Sequence, residues 1–133
     1  MKWQLFDLDH VDRWVHPSGK AVLLGDAVHP MLPYMASGAA MACEDAATLR
    51  KCLQEATRET INPALLQYQK LRQPRASMIQ KAGRALQDTY HLHDGEEQRQ
   101  RDWWITKDDV KNPVFWGCKD RRTWLFGYDA EIV

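Results

Sequence analysis

The chain has 133 residues, 44% of them hydrophobic, and six Trp, enough to bury the core of one ordinary domain and too apolar for intrinsic disorder. Eighteen basic and eighteen acidic side chains give a formal net charge of zero, which offers no basic excess for nucleic acid or an anionic membrane surface. The longest apolar runs, such as 21–24, fall far short of a bilayer span, and the N-terminal MKWQLFDLDHVDRW lacks the apolar stretch of a signal peptide. A soluble cytoplasmic protein is expected, without a membrane or nucleic-acid partner.

The first region, residues 1–37, opens on Trp3, Phe6 and Trp14 and reaches a turn signal at His16-Pro17-Ser18-Gly19. Ala21-Val22-Leu23-Leu24 follows, a short apolar run between Gly19 and Gly25 that reads as a buried strand. Pro30 and Pro33 keep residues 26–37 from being helical throughout, so a loop is expected there.

The second region, 38–92, is helical. Ser37-Gly38 offers a cap for a helix over Ala39 to about Ala56. Met41, Asp45, Thr48 and Cys52 share one face of it, and Ala42, Ala46, Leu49 and Leu53 share another. Asn62-Pro63 starts a second helix with Pro in its first turn. Pro74 predicts a kink or a division before a periodic stretch from Ala76 to about Leu92.

The third region, 93–133, is charge-dense over 94–102 and then aromatic, with Trp103, Trp104, Phe115, Trp116, Trp124, Phe126 and Tyr128. Short helices and loops packing onto a larger body are expected. His91 and His93 are two residues apart, share no helix face and have no third ligand nearby, so no metal site is predicted. Cys43, Cys52 and Cys118 match no zinc spacing and read as reduced, structural thiols.

The arrangement around residues 21–40 has its own chemistry. Gly25 permits a sharp turn or close approach to a ligand. Asp26, at the end of the expected strand, can accept hydrogen bonds from sugar-alcohol hydroxyls. The helix start near Gly38 presents unpaired N–H groups and a positive dipole end, which favours a developing anion. Glu44 and Asp45 sit early on that helix, and pairing with Arg72 or Arg75 is expected.

The run LLGDAVHPMLPYMASGAAMACEDAATL resembles the GD segment of class A FAD-dependent aromatic monooxygenases, most nearly the salicylate-hydroxylase-like branch. The resemblance extends back through Asp12-Arg13-Trp14 to Lys2-Trp3 and Leu5-Phe6. It extends forward through Tyr68, Arg72 and Arg75 to Trp124 and Tyr128-Asp129. It implies a mainly α fold: a helical C-terminal fragment of an α/β, Rossmann-like FAD-binding monooxygenase, with one or two short strands, as a single domain over 1–133.

The resemblance also implies roles. Gly25 and Asp26 contact FAD at its ribityl or pyrophosphate part. Pro33 lies on the substrate side of the flavin loop. The N–H groups of Gly38, Ala39 and Ala40 face the isoalloxazine ring. NAD(P)H is the implied co-substrate, O2 the oxidant and a small aromatic, phenolic compound the substrate. His29 is expected to shape the loop through a local hydrogen bond.

Departures from the family pattern carry expectations too. No G-x-G-x-x-G occurs in the chain, and the family's middle sheet has no counterpart. The chain is therefore expected to be truncated, to hold FAD weakly alone, and to self-associate or meet a complementary chain. Two alternatives stand beside this reading. One is a cofactor-independent enzyme using Asp26 and His29 as a catalytic acid/base pair. The other is a non-catalytic accessory protein.

Overall fold

The computed structural model describes residues 4–132. Met1, Lys2, Trp3 and Val133 lie outside the described residues, so the part of the resemblance carried by Lys2 and Trp3 is not placed. Helices dominate: α1 (Gly38–Leu53), α2 (Ile61–Tyr90), α3 (Glu96–Ile105) and α4 (Lys119–Phe126). Short 3-10 turns accompany them among the described residues, at Gly25–Ala27, Pro33–Met35 and Phe115–Gly117.

The long helix α2 is the spine, about 45 Å from end to end at 1.5 Å per residue. Its buried positions are Leu65, Tyr68, Arg72, Arg75, Ala76, Ile79, Gln80, Gly83 and Leu86. Steps of three and four put all of these on one side of the helix. Two apolar clusters form along that side. Met35, Met41, Ile79, Leu86, Val114 and Leu125 make one, and Trp14, Val28, Tyr68 and Ala76 make the other. Gly83 lets the Pro33–Met35 turn come close: a Cβ there would stand 3.4 Å from the Leu32 carbonyl oxygen.

Helix α1 packs across α2 with the face bearing Met41, Asp45 and Thr48 buried. The Ala39–Ala46 face stays largely open. Ser37 precedes the helix, but its hydroxyl donates to the Met35 carbonyl at 2.7 Å and makes no cap bond. The helix ends at Leu53, three residues before the expected Ala56.

One expectation is corrected, and another is narrowed. The apolar run 21–24 forms no strand; a single antiparallel bridge joins Val15 and Val22. The physical reason lies in α2, whose glutamine amides stand where a neighbouring strand's peptides would pair. Gln69 Oε1 accepts the N–H groups of Trp14 and Val15 at 3.0 and 3.2 Å, and Gln69 Nε2 donates to the Asp12 carbonyl at 2.8 Å. Gln73 Nε2 donates to the Val11 carbonyl at 2.9 Å. Of the kink or division expected at Pro74, the division is absent, since α2 runs on through it. It sits exposed on the outer face, where its ring meets solvent and packing of the inner face carries the helix past it.

The tail is held at one place above all. Arg75 Nη1 and Nη2 donate to the carbonyls of Trp124 and Leu125, at 3.1 and 2.9 Å. Its guanidinium also lies 4.5 Å from the Trp124 ring centre and 4.1 Å from that of Tyr128.

Pro74 leaves the helix one donor short. Pro74→Ala should therefore raise unfolding stability by about 1–3 kcal/mol in a urea titration. A loss of stability would show that the ring's outer-face position contributes to the native fold.

Candidate functional site

Residues 24–42 wrap a cleft of about 560 Å³. The backbone builds it in three moves. Gly25 turns with φ +58°, a left-handed conformation that L side chains rarely adopt, and a Cβ there would crowd Ala42 Cβ at 3.3 Å. Its carbonyl accepts the N–H groups of Val28 and His29, both at 3.0 Å, closing the 3-10 turn. Pro33 then opens the second 3-10 turn with its fixed φ, and Ala36 at φ 47° reverses the chain into α1.

Gly25, Asp26, Pro33, Gly38 and Ala39 all line this cleft, alongside Leu24, Met31, Leu32, Ala36, Ser37 and Ala42. Asp26 is exposed, and its carboxylate has no hydrogen-bond partner among the described residues. Helix α1 points its N-terminus at the cleft. Among the described residues the N–H groups of Gly38, Ala39 and Ala40 have no acceptor, since the intrahelical ladder begins with Met41 N–H to the Ser37 carbonyl at 2.9 Å. The Ala40 side chain lines a different cleft, of about 440 Å³, with Trp116, Phe126 and Tyr128.

The donor set suits a flavin dinucleotide's ribityl part and ring edge. Asp26 is a free acceptor for hydroxyls. The unclaimed N–H groups suit an electron-rich oxygen or nitrogen. Leu24, Met31 and Leu32 supply an apolar wall. Ala42 was missed in the sequence; its step of three and four from Ala39 and Gly38 was the signal that it shares their face.

His29 goes elsewhere. It is 1% exposed, and its Nε2 lies 2.6 Å from Asp45 Oδ2. Trp14 covers the ring, with centroids 5.4 Å apart. The pairing of Asp26 with His29 as an acid/base couple is therefore corrected: the 3-10 turn sends Asp26 outward and His29 inward to a different carboxylate.

That carboxylate organises the site from beneath. Asp45 Oδ2 also accepts the Gly25 N–H at 2.9 Å, and Oδ1 accepts Arg72 Nε at 2.8 Å. Arg72 Nη1 sits 2.7 Å from Glu44 Oε2, a charge contact outside hydrogen-bond alignment. Glu44 in turn takes both Nε and Nη2 of Arg75, at 2.7 and 2.8 Å. The expected pairing of Glu44 and Asp45 with Arg72 and Arg75 is present. Burial opposes ionisation of Asp45, yet hydrogen bonds from His29, Arg72 and the Gly25 N–H outweigh it and hold the carboxyl below the usual carboxylate range.

Residues 9–91 match the family model described as an FAD binding domain. The chain belongs to this FAD-binding family. An FAD-dependent monooxygenase of Beauveria bassiana is 37% identical over 138 residues, which cover 99% of this chain and 32% of that protein. The 3-amino-4-hydroxybenzoate 2-monooxygenase of Streptomyces cremeus is 44% identical over 101 residues, 76% of this chain and 25% of that protein. Among solved structures, a salicylate hydroxylase substrate complex superposes with a TM-score of 0.74 at 28% identity, covering 98% of this chain and 29% of that one. The mainly helical fold and the monooxygenase kinship expected from the GD segment both hold. The chain spans a third or less of the relatives it matches. No helix among the described residues is long and apolar enough to cross a membrane.

The sign of the acid response follows from the lowered Asp45 carboxyl. Its stabilising contribution is fully present above the unfolded-state value of about 4 and is lost as pH falls through the lower folded-state value. Circular dichroism at falling pH should show stability dropping below about pH 4. Asp45→Asn should flatten the dependence in that window; an unchanged slope would show that other carboxylates set it.

Proposed function

We propose that this chain supplies one wall of the FAD site of an aromatic-ring monooxygenase, with the remaining cofactor contacts made by a dinucleotide-binding portion outside the chain. The observation that carries this reading is the convergence of Gly25, Asp26, Pro33, Gly38 and Ala39 on one cleft, beneath a helix N-terminus with unclaimed donors. Those residues are among the ones that the family resemblance implied as cofactor contacts.

When bound, FAD would supply the chemistry, taking reducing equivalents from NAD(P)H and delivering them to oxygen. The chain's own residues bind and orient. Asp26 accepts hydrogen bonds from the cofactor's hydroxyls. The Gly38, Ala39 and Ala40 N–H groups stabilise negative charge on the reduced ring, because fixed dipoles in a sheltered site need no reorganisation when the charge appears. Pro33 holds the loop rigid against the ring, and Leu24, Met31 and Leu32 keep water from that side. The substrate class is a small hydroxylated aromatic, in keeping with the aminohydroxybenzoate and salicylate in the names of the relatives. A cytoplasmic location and association with a second copy or a complementary chain belong to the same proposal. The exposed Leu23, Leu24 and Phe126 support the association, as apolar surface left without cover.

Titration of FAD with the purified chain, followed by quenching of flavin fluorescence, tests the reading. Weak, saturable binding is expected. Asp26→Asn should weaken it roughly tenfold, the worth of a hydrogen bond to a charged acceptor. Absence of saturable binding, or indifference to Asp26→Asn, would contradict it.

A further inference from the structure

The proposed cofactor contact at Asp26 has no anchor of its own. Its carboxylate touches no partner among the described residues, so its direction is inherited from the backbone around it. That backbone is fixed at both ends by one group. Gly25, just before Asp26, donates its N–H to Asp45 Oδ2 at 2.9 Å. His29, three residues after, places Nε2 on the same oxygen at 2.6 Å. The other oxygen, Oδ1, is tied to α2 through Arg72 Nε at 2.8 Å. Asp45 itself is fully buried and lines no part of the cleft.

We propose that Asp45 is a positioning residue: it sets the Gly25–His29 turn, and through that turn the placement of Asp26 in the cleft. The flavin reading enters only in naming the ligand that Asp26 meets. The shaping of the turn is a property of the chain without ligand.

The chemistry of the three donors explains why a carboxylate is needed. A peptide N–H, an imidazole N–H and a guanidinium N–H all converge on residue 45, so it must accept on both oxygens. An asparagine there has one oxygen and one amide nitrogen. With its oxygen toward Gly25 and His29, its NH2 faces the Arg72 guanidinium, donor against donor. With its oxygen toward Arg72, the turn loses both anchors. The left-handed Gly25 makes the turn dependent on such an anchor, because glycine constrains its own backbone least. Replacing Arg72 by glutamine removes the conflict. The glutamine oxygen can receive the asparagine NH2, which leaves the asparagine oxygen for Gly25 and His29.

The test uses the full chain, labelled with 15N, and reads amide hydrogen exchange without ligand and FAD affinity by flavin fluorescence. In the wild type the Gly25 amide should exchange at least about tenfold more slowly than that of Leu24, which has no acceptor among the described residues. Asp45→Asn should speed Gly25 exchange by about tenfold or more and weaken FAD binding by a similar factor. The amide of Gly83, within α2, should move less and reports general destabilisation. Asp45→Asn with Arg72→Gln should restore both Gly25 protection and FAD affinity. Asp26→Asn should weaken FAD binding and leave Gly25 protection unchanged. A wild-type Gly25 amide as fast as Leu24 overturns the proposal, and this result needs no variant to fold. So does an Asp45→Asn chain, still helical by circular dichroism, whose Gly25 exchange is unchanged or whose FAD affinity is intact. Failure of the wild type to bind FAD, with Gly25 protected and released as described, would sink the flavin reading and leave the role of Asp45 in the turn standing.

Discussion

A carboxylate with no exposure to water has to be met by donors on every side, and the rest of the molecule is arranged around meeting the one on Asp45. Gly25, His29 and Arg72 bring it three hydrogen bonds from two different parts of the chain. A buried pair of this kind adds little net stability over an apolar packing, but removing one partner strands a charge and costs about 3–5 kcal/mol. Its worth is in specifying geometry. The cleft turn, α1 and α2 can take only the relative placement in which all three donors reach residue 45. The neighbouring Glu44 extends the constraint to Arg75, and Arg75 extends it to the tail through Trp124, Leu125 and Tyr128. One chain of charges thus runs from beneath the cleft to the C-terminal aromatics.

Much of this was readable from the sequence, for reasons that can be named. Helices α1 and α2 announced themselves through the spacing of small and apolar residues, and Asn62-Pro63 marked the start of α2. The two faces of α1 were legible but not which is buried, and it is the one that carries Met41, Asp45 and Thr48. The pairing of Glu44 and Asp45 with Arg72 and Arg75 followed from charges on facing helices. What failed did so because tertiary contacts overrode local signals. Residues 21–24 have the composition of a strand, yet Gln69 and Gln73 serve the neighbouring peptides in place of a sheet. Of the kink or division that Pro74 signals, the division is absent, because the packed inner face of α2 runs through it.

The candidate site was legible to a similar depth. Residue chemistry pointed to Gly25, Asp26 and the helix start at Gly38, and the family resemblance added Pro33 and Ala39; all five line one cleft. Neither could show that His29 turns away from Asp26, because the direction of a side chain after a left-handed glycine depends on what lies beneath the turn. Asp45, sixteen residues further on, decided it. Ala40 illustrates the same limit: its side chain faces the second cleft although its N–H belongs to the helix start. The open face of α1 and the exposed Leu23 and Leu24 fit a chain spanning a third or less of its relatives.

Where FAD touches this chain decides most directly between a cofactor wall and some other use of the cleft. Amide chemical-shift mapping of the 15N-labelled protein during FAD addition measures that. The account predicts that the largest changes fall at Gly25, Asp26 and Gly38 to Ala40. Changes centred instead on the separate cleft around Arg13, Trp14 and His16, or spread without focus over the tail, would contradict it.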